Sequence, residues 1–292
     1  RIAIIVSPLE MGPVGRLELG LTMKSKSPLH KIRALKGMRS RDDGGSSSTP
    51  ADVMHLDTIV TRCDPKAIDG TYRHAPAALH VPRQIDACPG ISFFGRRVKS
   101  LVFSTDLAII CNCDADAVFA VYPFTCQPII TQGLVTASGR PVFTGVAGTT
   151  TAGARSKTMA VQSEMQGAYG VVVNSPTSIE DVREISTSID IPVVLTVVTF
   201  DELVATKIMA GAKVVNVAAG KDTPAVVGKV RERFPEIPII ASGGKDASSI
   251  RSTIDAGADA ITWVPPTMQQ LQRELMDVNR AEGQPTEPDA VA

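Results

Sequence analysis

The chain has 292 residues, a length that suits one barrel of about 250 residues with an appendage, or two average domains. Lys plus Arg and Asp plus Glu both number 30, so the net charge is zero at pH 7. This balance provides no basic surplus for nucleic acid and no polybasic run for a membrane surface. Because only 4% of the residues are aromatic, the core must be built mostly from Ala, Val and Ile.

The cysteines indicate a reducing compartment. There are five cysteines, an odd number without paired spacing, which argues against a disulfide framework. Cys111 and Cys113 stand too close for a zinc knuckle, so we expect no metal site, and no motif names a cofactor. The apolar runs are too short to span a bilayer, and Arg1–Val6 is too short for a secretory signal core. The expected location is the cytoplasm, with an organelle as the alternative.

Residues 1–97 differ in composition from the rest and are predicted to form an N-terminal extension that wraps or caps a larger domain. A Lys/Arg-rich segment, Lys24–Arg41, is followed near residues 42–50 by the run Asp-Asp-Gly-Gly-Ser-Ser-Ser-Thr-Pro. Such a run cannot bury apolar surface and is predicted to be a flexible linker. Residues 281–292, rich in Pro, Glu and Ala, are expected to fray.

From Val98 to Arg280, short runs rich in β-branched residues alternate with segments of helical periodicity. We predict parallel strands covered on both faces by helices. Eight such units, without an early G-x-G-x-x-G, favour a (β/α)8 TIM barrel over residues 98–280 rather than an open doubly wound sheet. The predicted strands are Val98–Phe103, Ala117–Tyr122, Pro141–Val146, Gly170–Asn174, Pro192–Val198, Lys213–Ala218, Ile237–Ser242 and Ala260–Val264.

Three helix starts can be assigned from the sequence. Leu107–Cys113 could itself be a strand, but about four residues would then join it to the next strand, too few for a parallel crossover. It is therefore predicted to be a helix capped by Ser104 or Asp106. Thr199 with Glu202 is interpreted as a capping box, and Thr267 is predicted to cap the last helix.

Glycines after the sixth and seventh barrel strands predict a phosphate site. Gly220 and the run Ser242–Gly244 each stand between a strand and a helix, where free N–H groups and the helix dipole attract an anion. Lys221 and Lys245 add a positive charge to each loop. The alternative interpretation is that tight strand–helix turns need glycine anyway.

The last two barrel units resemble a known superfamily. Residues 239–244, Ile-Ile-Ala-Ser-Gly-Gly, precede a helix and then residues 256–261, Ala-Gly-Ala-Asp-Ala-Ile. This pattern resembles the aldolase-type phosphate-binding barrels, among them thiazole synthases, indole-glycerol-phosphate synthases, sugar-phosphate epimerases and the IMP dehydrogenase group. Residues 103–106, 122–124 and 174–177 are similar to a poorly characterised barrel family often labelled "hydrolase", which supplies no catalytic residue to carry over.

One position departs from the superfamily pattern. Where such barrels usually have Gly-Ser or Gly-Thr after the last strand, this chain has Pro265-Pro266-Thr267. Proline lacks an N–H donor, so Thr267 and the following helix start would be the remaining donors for a phosphate there.

The candidate catalytic residues are Asp106, Asn174 and Lys221. Asp106 follows the first barrel strand as a possible acid or base, and its alternative role is a helix cap. Asn174 could orient a carbonyl or hydroxyl group, or could be a turn residue. Lys221 could form a Schiff base, although it lies beyond its strand rather than within it.

These features predict an enzyme that acts on a small phosphorylated metabolite by lyase, isomerase or synthase chemistry. The alternatives are a hydrolase of unknown substrate and a non-catalytic ligand-binding or assembly barrel. A small phosphorylated molecule is the expected partner, with neither nucleic acid nor membrane. A homo-oligomer stays an alternative, because the Ala/Val-rich helices could form subunit faces.

Overall fold

A computed structural model of the chain describes residues 60–62, 79–148, 150–244 and 246–282. The linker near residues 42–50, Lys245 and the tail from residue 283 onward lie outside the described residues. The expectations for these segments, and for most of the N-terminal extension, therefore stay predictions.

Eight parallel strands form a closed barrel, which confirms the predicted (β/α)8 fold. Strand β11 pairs with β4, Ile261 opposite Ser100, and this pairing closes the ring. Each strand lies inside its predicted segment except β6, which extends one residue further to Ala147. The barrel strands are β4 (Ser100–Val102), β5 (Ala117–Ala120), β6 (Val142–Ala147), β7 (Gly170–Val173), β8 (Val193–Val197), β9 (Val214–Val217), β10 (Ile239–Ser242) and β11 (Ala260–Trp263).

A helix follows each barrel strand. The segment after β4 is helical as predicted, and the carboxylate of Asp106 accepts the amide N–H of Ala108 at 2.9 Å. The expected cap at Thr199 is wrong, because the fifth helix begins later and Asp201 accepts the amide of Val204 instead. The helices are α1 (Leu107–Cys111), α2 (Pro128–Ser138), α3 (Ala154–Met165), α4 (Ile179–Ser186), α5 (Glu202–Met209), α6 (Thr223–Arg233), α7 (Ala247–Asp255) and α8 (Met268–Glu282).

The last helix is capped as predicted: Thr267 Oγ1 accepts the amide of Gln270 at 3.2 Å. None of the helices among the described residues combines the length and the apolar composition that crossing a bilayer requires.

The amino end of the barrel is plugged by apolar side chains from a small antiparallel sheet. This sheet consists of β1 (Val60–Arg62), β2 (Ile91–Phe93) and β3 (Arg96–Val98). The ring of Phe93 packs edge-on against Phe143 inside the barrel, with ring centroids 4.6 Å apart. Among the described residues, this filling leaves the carboxyl end of the barrel as the end that can open to a ligand.

A buried carboxylate connects β1 to the barrel at the amino end. Asp259 is fully buried, and its two oxygens accept Arg62 Nε at 2.6 Å and Arg231 Nη2 at 2.7 Å. It also accepts the amide of Ile239. Burial is the largest cause of the lowered pKa of Arg231, so the Asp259 charge offsets an unfavourable desolvation.

We predict that Asp259→Ala lowers the free energy of unfolding by about 3–5 kcal/mol, because it leaves a half-buried guanidinium unpaired. Urea denaturation measures this loss. Asp255→Ala, an exposed position on α7, is the matched control and should change the stability by less than about 0.5 kcal/mol. Equal effects of the two substitutions would contradict the structural role of Asp259.

Candidate functional site

The two glycine loops lie side by side at the carboxyl end of the barrel. Strands β9 and β10 are parallel neighbours, with Val217 opposite Ala241. Gly220 starts a short 3-10 helix directly after β9, and Gly243-Gly244 joins β10 to α7. In a parallel barrel, the loops that follow the strands share one face, so both loops contribute to one mouth.

Polar side chains occupy inward positions of β8 to β11 near the mouth. Val194 and Val214 belong to the barrel interior, so Thr196 and Asn216, two residues further along their strands, also face inward. By the same register, Ser242 and Thr262 lie opposite each other on β10 and β11. These four residues, the polar sector, form one side of the mouth.

Asn216 has an unsatisfied group in this sector. Its Nδ2 donates to Thr196 Oγ1 at 3.1 Å, and the residue is only 3% exposed. Its Oδ1 has no hydrogen-bond partner among the described residues. A buried, unpaired amide oxygen is unfavourable unless a water or ligand donates to it. The sequence-based candidates did not include Asn216; its signal is a polar residue at an inward position of the apolar run Val-Val-Asn-Val.

The glycines of the β9 and β10 loops have different physical roles. Gly243 is needed for packing, because a Cβ there would lie 2.5 Å from Ile261 Cγ2, and its amide N–H donates to the Thr262 carbonyl. Gly244 has φ +80° and Gly220 has φ +61°, conformations that favour glycine. Nothing lies within 4 Å of a Cβ placed on Gly220, so this turn is open to a ligand.

Several donors at the mouth are already engaged by the protein. The amide and hydroxyl of Thr267 both donate to Gln270 Oε1, at 2.8 and 3.0 Å. Asp246 caps α7, and hydrogen bonds from Ser248 and Ser249 lower the pKa of its carboxyl group. This carboxylate is therefore charged at neutral pH and opposes an anion at the start of α7.

The amides of Gly220, Lys221 and Gly244 donate to no acceptor among the described residues. The side chain of Lys221 is exposed, and the Ser242 hydroxyl lies 3.5 Å from Thr262 Oγ1. Of the predicted phosphate ligands, Gly220, Ser242 and Gly244 can thus contribute hydrogen bonds, and Lys221, predicted as a catalytic residue, adds its amide and its ammonium group.

The acidic residues at the mouth cap helices. The carboxylate of Asp106 accepts two backbone amides of α1. Asp201 accepts a backbone amide of α5, and Asp246 accepts one of α7. The alternative role expected for Asp106 is therefore present in the structure. A capping carboxylate retains a second oxygen, so it can still contact a ligand.

A second feature of the mouth is an apolar pocket on the opposite side from the glycine loops. Its volume is about 380 Å³. Asn174, a predicted site residue, lies on its wall against Gly148, and no described residue pairs with its amide. Tyr122 accepts the amide of Gln127 at 2.9 Å, and burial is the largest cause that raises the pKa of Tyr122. The other lining residues include Phe103, Val121, Phe124, Cys126, Gly145 and Ala147.

Lys207 is a buried cation behind this pocket. The residue is 6% exposed, and its Nζ donates to the Ser175 carbonyl at 2.6 Å. Ser175 directly follows Asn174, so the ammonium group fixes the chain next to the pocket wall. Lys207 was not among the predicted site residues, because a lysine within a helix gives no sequence signal of burial. Among the described residues, no three His, Cys, Asp or Glu side chains group as a metal site would require.

No family model and no curated protein matches the chain in sequence. Solved structures do match its fold. A candidate phosphonomutase of Burkholderia cenocepacia J2315 is 14% identical, with 63% of this chain and 92% of that chain covered and a TM-score of 0.50. A phosphoenolpyruvate phosphomutase of Streptomyces platensis subsp. rosaceus is 13% identical, with 63% and 80% covered and a TM-score of 0.47.

A 4-hydroxy-tetrahydrodipicolinate synthase of Methylacidiphilum fumariolicum SolV is 17% identical, with 58% of this chain and 68% of that chain covered and a TM-score of 0.45. At such identities the likeness shows the fold alone. The predicted resemblance to aldolase-type barrels is confirmed at that level, while the narrower likeness to a family labelled "hydrolase" stays a prediction.

The packing role of Gly243 can be separated from any role in binding. We predict that Gly243→Ala lowers the free energy of unfolding by about 1–3 kcal/mol, because its methyl group overpacks the contact with Ile261. Gly228→Ala in α6, where nothing lies within 4 Å of a Cβ, should raise stability by up to about 1 kcal/mol. Thermal denaturation of both variants without ligand measures the difference; a neutral Gly243→Ala would contradict the packing argument.

Proposed function

We propose that this chain is an aldolase-type barrel enzyme that binds a small phosphorylated metabolite at its carboxyl mouth and converts it by lyase, isomerase or synthase chemistry. The observation that carries the proposal is the arrangement of the Gly220 and Gly244 loops beside the polar sector. Amide donors and an exposed ammonium group can bind the phosphate of such a metabolite. The hydroxyl and amide groups inside the barrel can form hydrogen bonds with the oxygen atoms of the rest of the molecule.

The phosphate subsite of this proposal lies between the loops after β9 and β10. Unengaged amides of Gly220, Lys221 and Gly244 supply donors, and the Lys221 ammonium supplies the positive charge. The Ser242 hydroxyl is a further donor at the edge of the polar sector. Lys245, whose position is not described, is a second candidate cation.

Polar groups elsewhere in the mouth can contact the part of the substrate that extends beyond this subsite. Asn216 Oδ1 is a buried acceptor without a partner, so it can receive a hydrogen bond from a substrate hydroxyl. Tyr122, whose pKa is raised by burial, remains protonated at neutral pH and can donate a hydrogen bond to a substrate oxygen. Lys221 remains the candidate for forming a Schiff base. Asp106 remains a candidate acid or base, through the carboxylate oxygen that does not cap α1.

One observation favours the non-catalytic alternative. The carboxylates of Asp106, Asp201 and Asp246 all accept helix amides, which stabilises the fold and leaves fewer groups for proton transfer. A barrel that binds a phosphorylated molecule without converting it would need the same loops and no further acid or base.

The phosphate subsite is tested by titrating inorganic phosphate and measuring the melting temperature. At about ten times Kd, phosphate should stabilise the chain by about 1.4 kcal/mol, a shift of a few degrees. Lys221→Glu should abolish the shift because it reverses the charge at the loop. Lys229→Glu, the same change at an exposed position on α6, should retain it; loss of the shift in both, or in neither, would contradict the subsite.

Asp246→Asn provides a gain-of-binding test of the same site. Asn caps a helix about as well as Asp, so the stability without ligand should change little. Removal of the negative charge should tighten phosphate binding by about two- to fivefold, as expected for a single charge near a helix start. Isothermal titration calorimetry at neutral pH measures the change, and unchanged or weaker binding would argue against an anion at the start of α7.

Catalysis is tested separately from binding. The protein is incubated with small sugar phosphates and phosphorylated carboxylic acids, and proton and phosphorus NMR spectra are recorded over time. New resonances that depend on the protein and decrease with Lys221→Glu would support the enzyme. Phosphate-dependent stabilisation without turnover of any compound would support the binding barrel instead.

A further inference from the structure

The apolar pocket lies across the mouth from the phosphate subsite. Its walls come from the end of β6 and from residues that follow β4, β5, β6 and β7. In the ring of eight strands, β5 is four steps from β9, and β6 is four steps from β10. A molecule held by the glycine loops must therefore extend across the barrel axis to reach the pocket, and it passes the polar sector on the way.

The pocket is larger than a phosphate group needs. A volume of about 380 Å³ falls within the range of small-molecule sites. For comparison, an engineered apolar cavity of about 150 Å³ takes up benzene. The phosphate subsite cannot use this space, because the amides that form it belong to other strands. The pocket is therefore available to a second part of the ligand.

The residues that line the pocket favour an apolar group in the ligand. Phe103 stands beside Phe119, with ring centroids 6.2 Å apart, and Phe124 is 70% exposed at the rim. Large aromatic side chains exposed at the opening of a cavity are unfavourable in water and become favourable when they contact an apolar group. Val121 and Ala147 complete the apolar walls.

Glycine at position 145 keeps the pocket open. Gly145 pairs with Val172, a residue of the barrel interior, so a side chain at position 145 would point inward. A Cβ there would lie 3.4 Å from Val121 Cγ1, a contact that the structure tolerates. The backbone at position 145 is not left-handed, although the register between β6 and β7 shifts between Gly145 and Ala147. The absent side chain leaves the space beside Val121 to the cavity.

Asn174 adds one polar contact to the apolar wall. Asn174 lines the pocket, and no described residue forms a hydrogen bond with its side-chain amide. The Lys207 ammonium fixes the adjacent peptide through the Ser175 carbonyl. An amide offers both a donor and an acceptor, so it suits a hydroxyl, a carbonyl or a ring nitrogen at the far end of the ligand.

From this geometry we infer the substrate class: a phosphate monoester that carries a planar apolar group, held in the pocket formed by Phe103, Phe124 and Gly145. The inference rests on the proposed function, since it places the phosphate at the Gly220 and Gly244 loops. It goes beyond the proposed function because it specifies a ligand with two parts, a phosphate and a planar apolar group, bound on opposite sides of the mouth. A small phosphorylated acid or sugar without an apolar part would leave the pocket empty.

The probes are inorganic phosphate and a series of phenylalkyl phosphates with one to four methylene groups between ring and phosphate. At least one member of the series should bind about tenfold or more tightly than inorganic phosphate, because burial of the ring adds to the phosphate contacts. Isothermal titration calorimetry of the full chain measures the affinities. The linker length with the highest affinity reports the span between the two subsites.

Gly145→Leu fills the pocket and should remove this advantage while inorganic phosphate binds as before. Gly133→Leu, the same change in α2 where nothing lies within 4 Å of a Cβ, is the matched control. Phe124→Ala at the exposed rim should not affect folding, and it should weaken the best phenylalkyl phosphate by about two- to tenfold. This variant keeps the inference testable if Gly145→Leu does not fold.

The outcomes separate the inference from the proposed function. If inorganic phosphate binds and no phenylalkyl phosphate binds more tightly, the bipartite substrate is wrong and the phosphate subsite stands. If the advantage persists in both Gly145→Leu and Phe124→Ala, the ring lies elsewhere and the inference is overturned. If neither inorganic phosphate nor any member of the series binds, the proposed function fails together with the inference.

Discussion

The pairing of β11 with β4 is the constraint on which the other features depend. It joins the last strand to the first with parallel hydrogen bonds, among them Ile261 N–H to the Lys99 carbonyl and Phe103 N–H to the Trp263 carbonyl. A closed parallel ring has two different ends, and every loop that follows a strand must emerge at the same one. The amino end is filled by the small sheet, so the carboxyl mouth becomes the place where distant parts of the chain meet.

The mouth then divides into sides of different chemistry. Strands β8 to β11 contribute the polar sector and the open glycine turns, whereas β5 to β7 contribute an apolar pocket. The carboxylates at the strand ends stabilise helix starts, and the charge of Asp246 opposes an anion at the start of α7. Within the polar sector, Asn216 Oδ1 has no hydrogen-bond partner among the described residues, and the buried Lys207 donates to the Ser175 carbonyl beside the wall of the pocket.

The fold was predictable from the sequence because parallel strands covered on both faces appear as continuous apolar runs, with turn residues between them. Residues 170–173 and 239–241 show this pattern clearly. The glycine loops could be assigned to the mouth from their position after strands. The sequence could not predict whether a backbone amide at the mouth is available to a ligand. The amide of Gly243 donates to the Thr262 carbonyl and that of Thr267 to Gln270 Oε1, and both contacts depend on the folded arrangement.

Other site features depend on contacts between distant segments. The pocket combines residues from near Phe103 to Asn174, and an inward glycine such as Gly145 cannot be recognised until the strand register is known. Asn216 occupies an inward position that only the register identifies. Lys207 reaches the Ser175 carbonyl from a neighbouring unit, so its burial has no local signal.

The central claim is that the β9 and β10 loops form one anion site at the carboxyl mouth. A titration of inorganic phosphate followed by amide chemical shifts in NMR tests it most directly. The account predicts saturable shifts at Gly220, Lys221 and Gly244, with one common Kd, and none at the amino-end residues Ile91 and Phe93. Shifts confined to the amino end, or weak shifts spread over the whole surface, would contradict it.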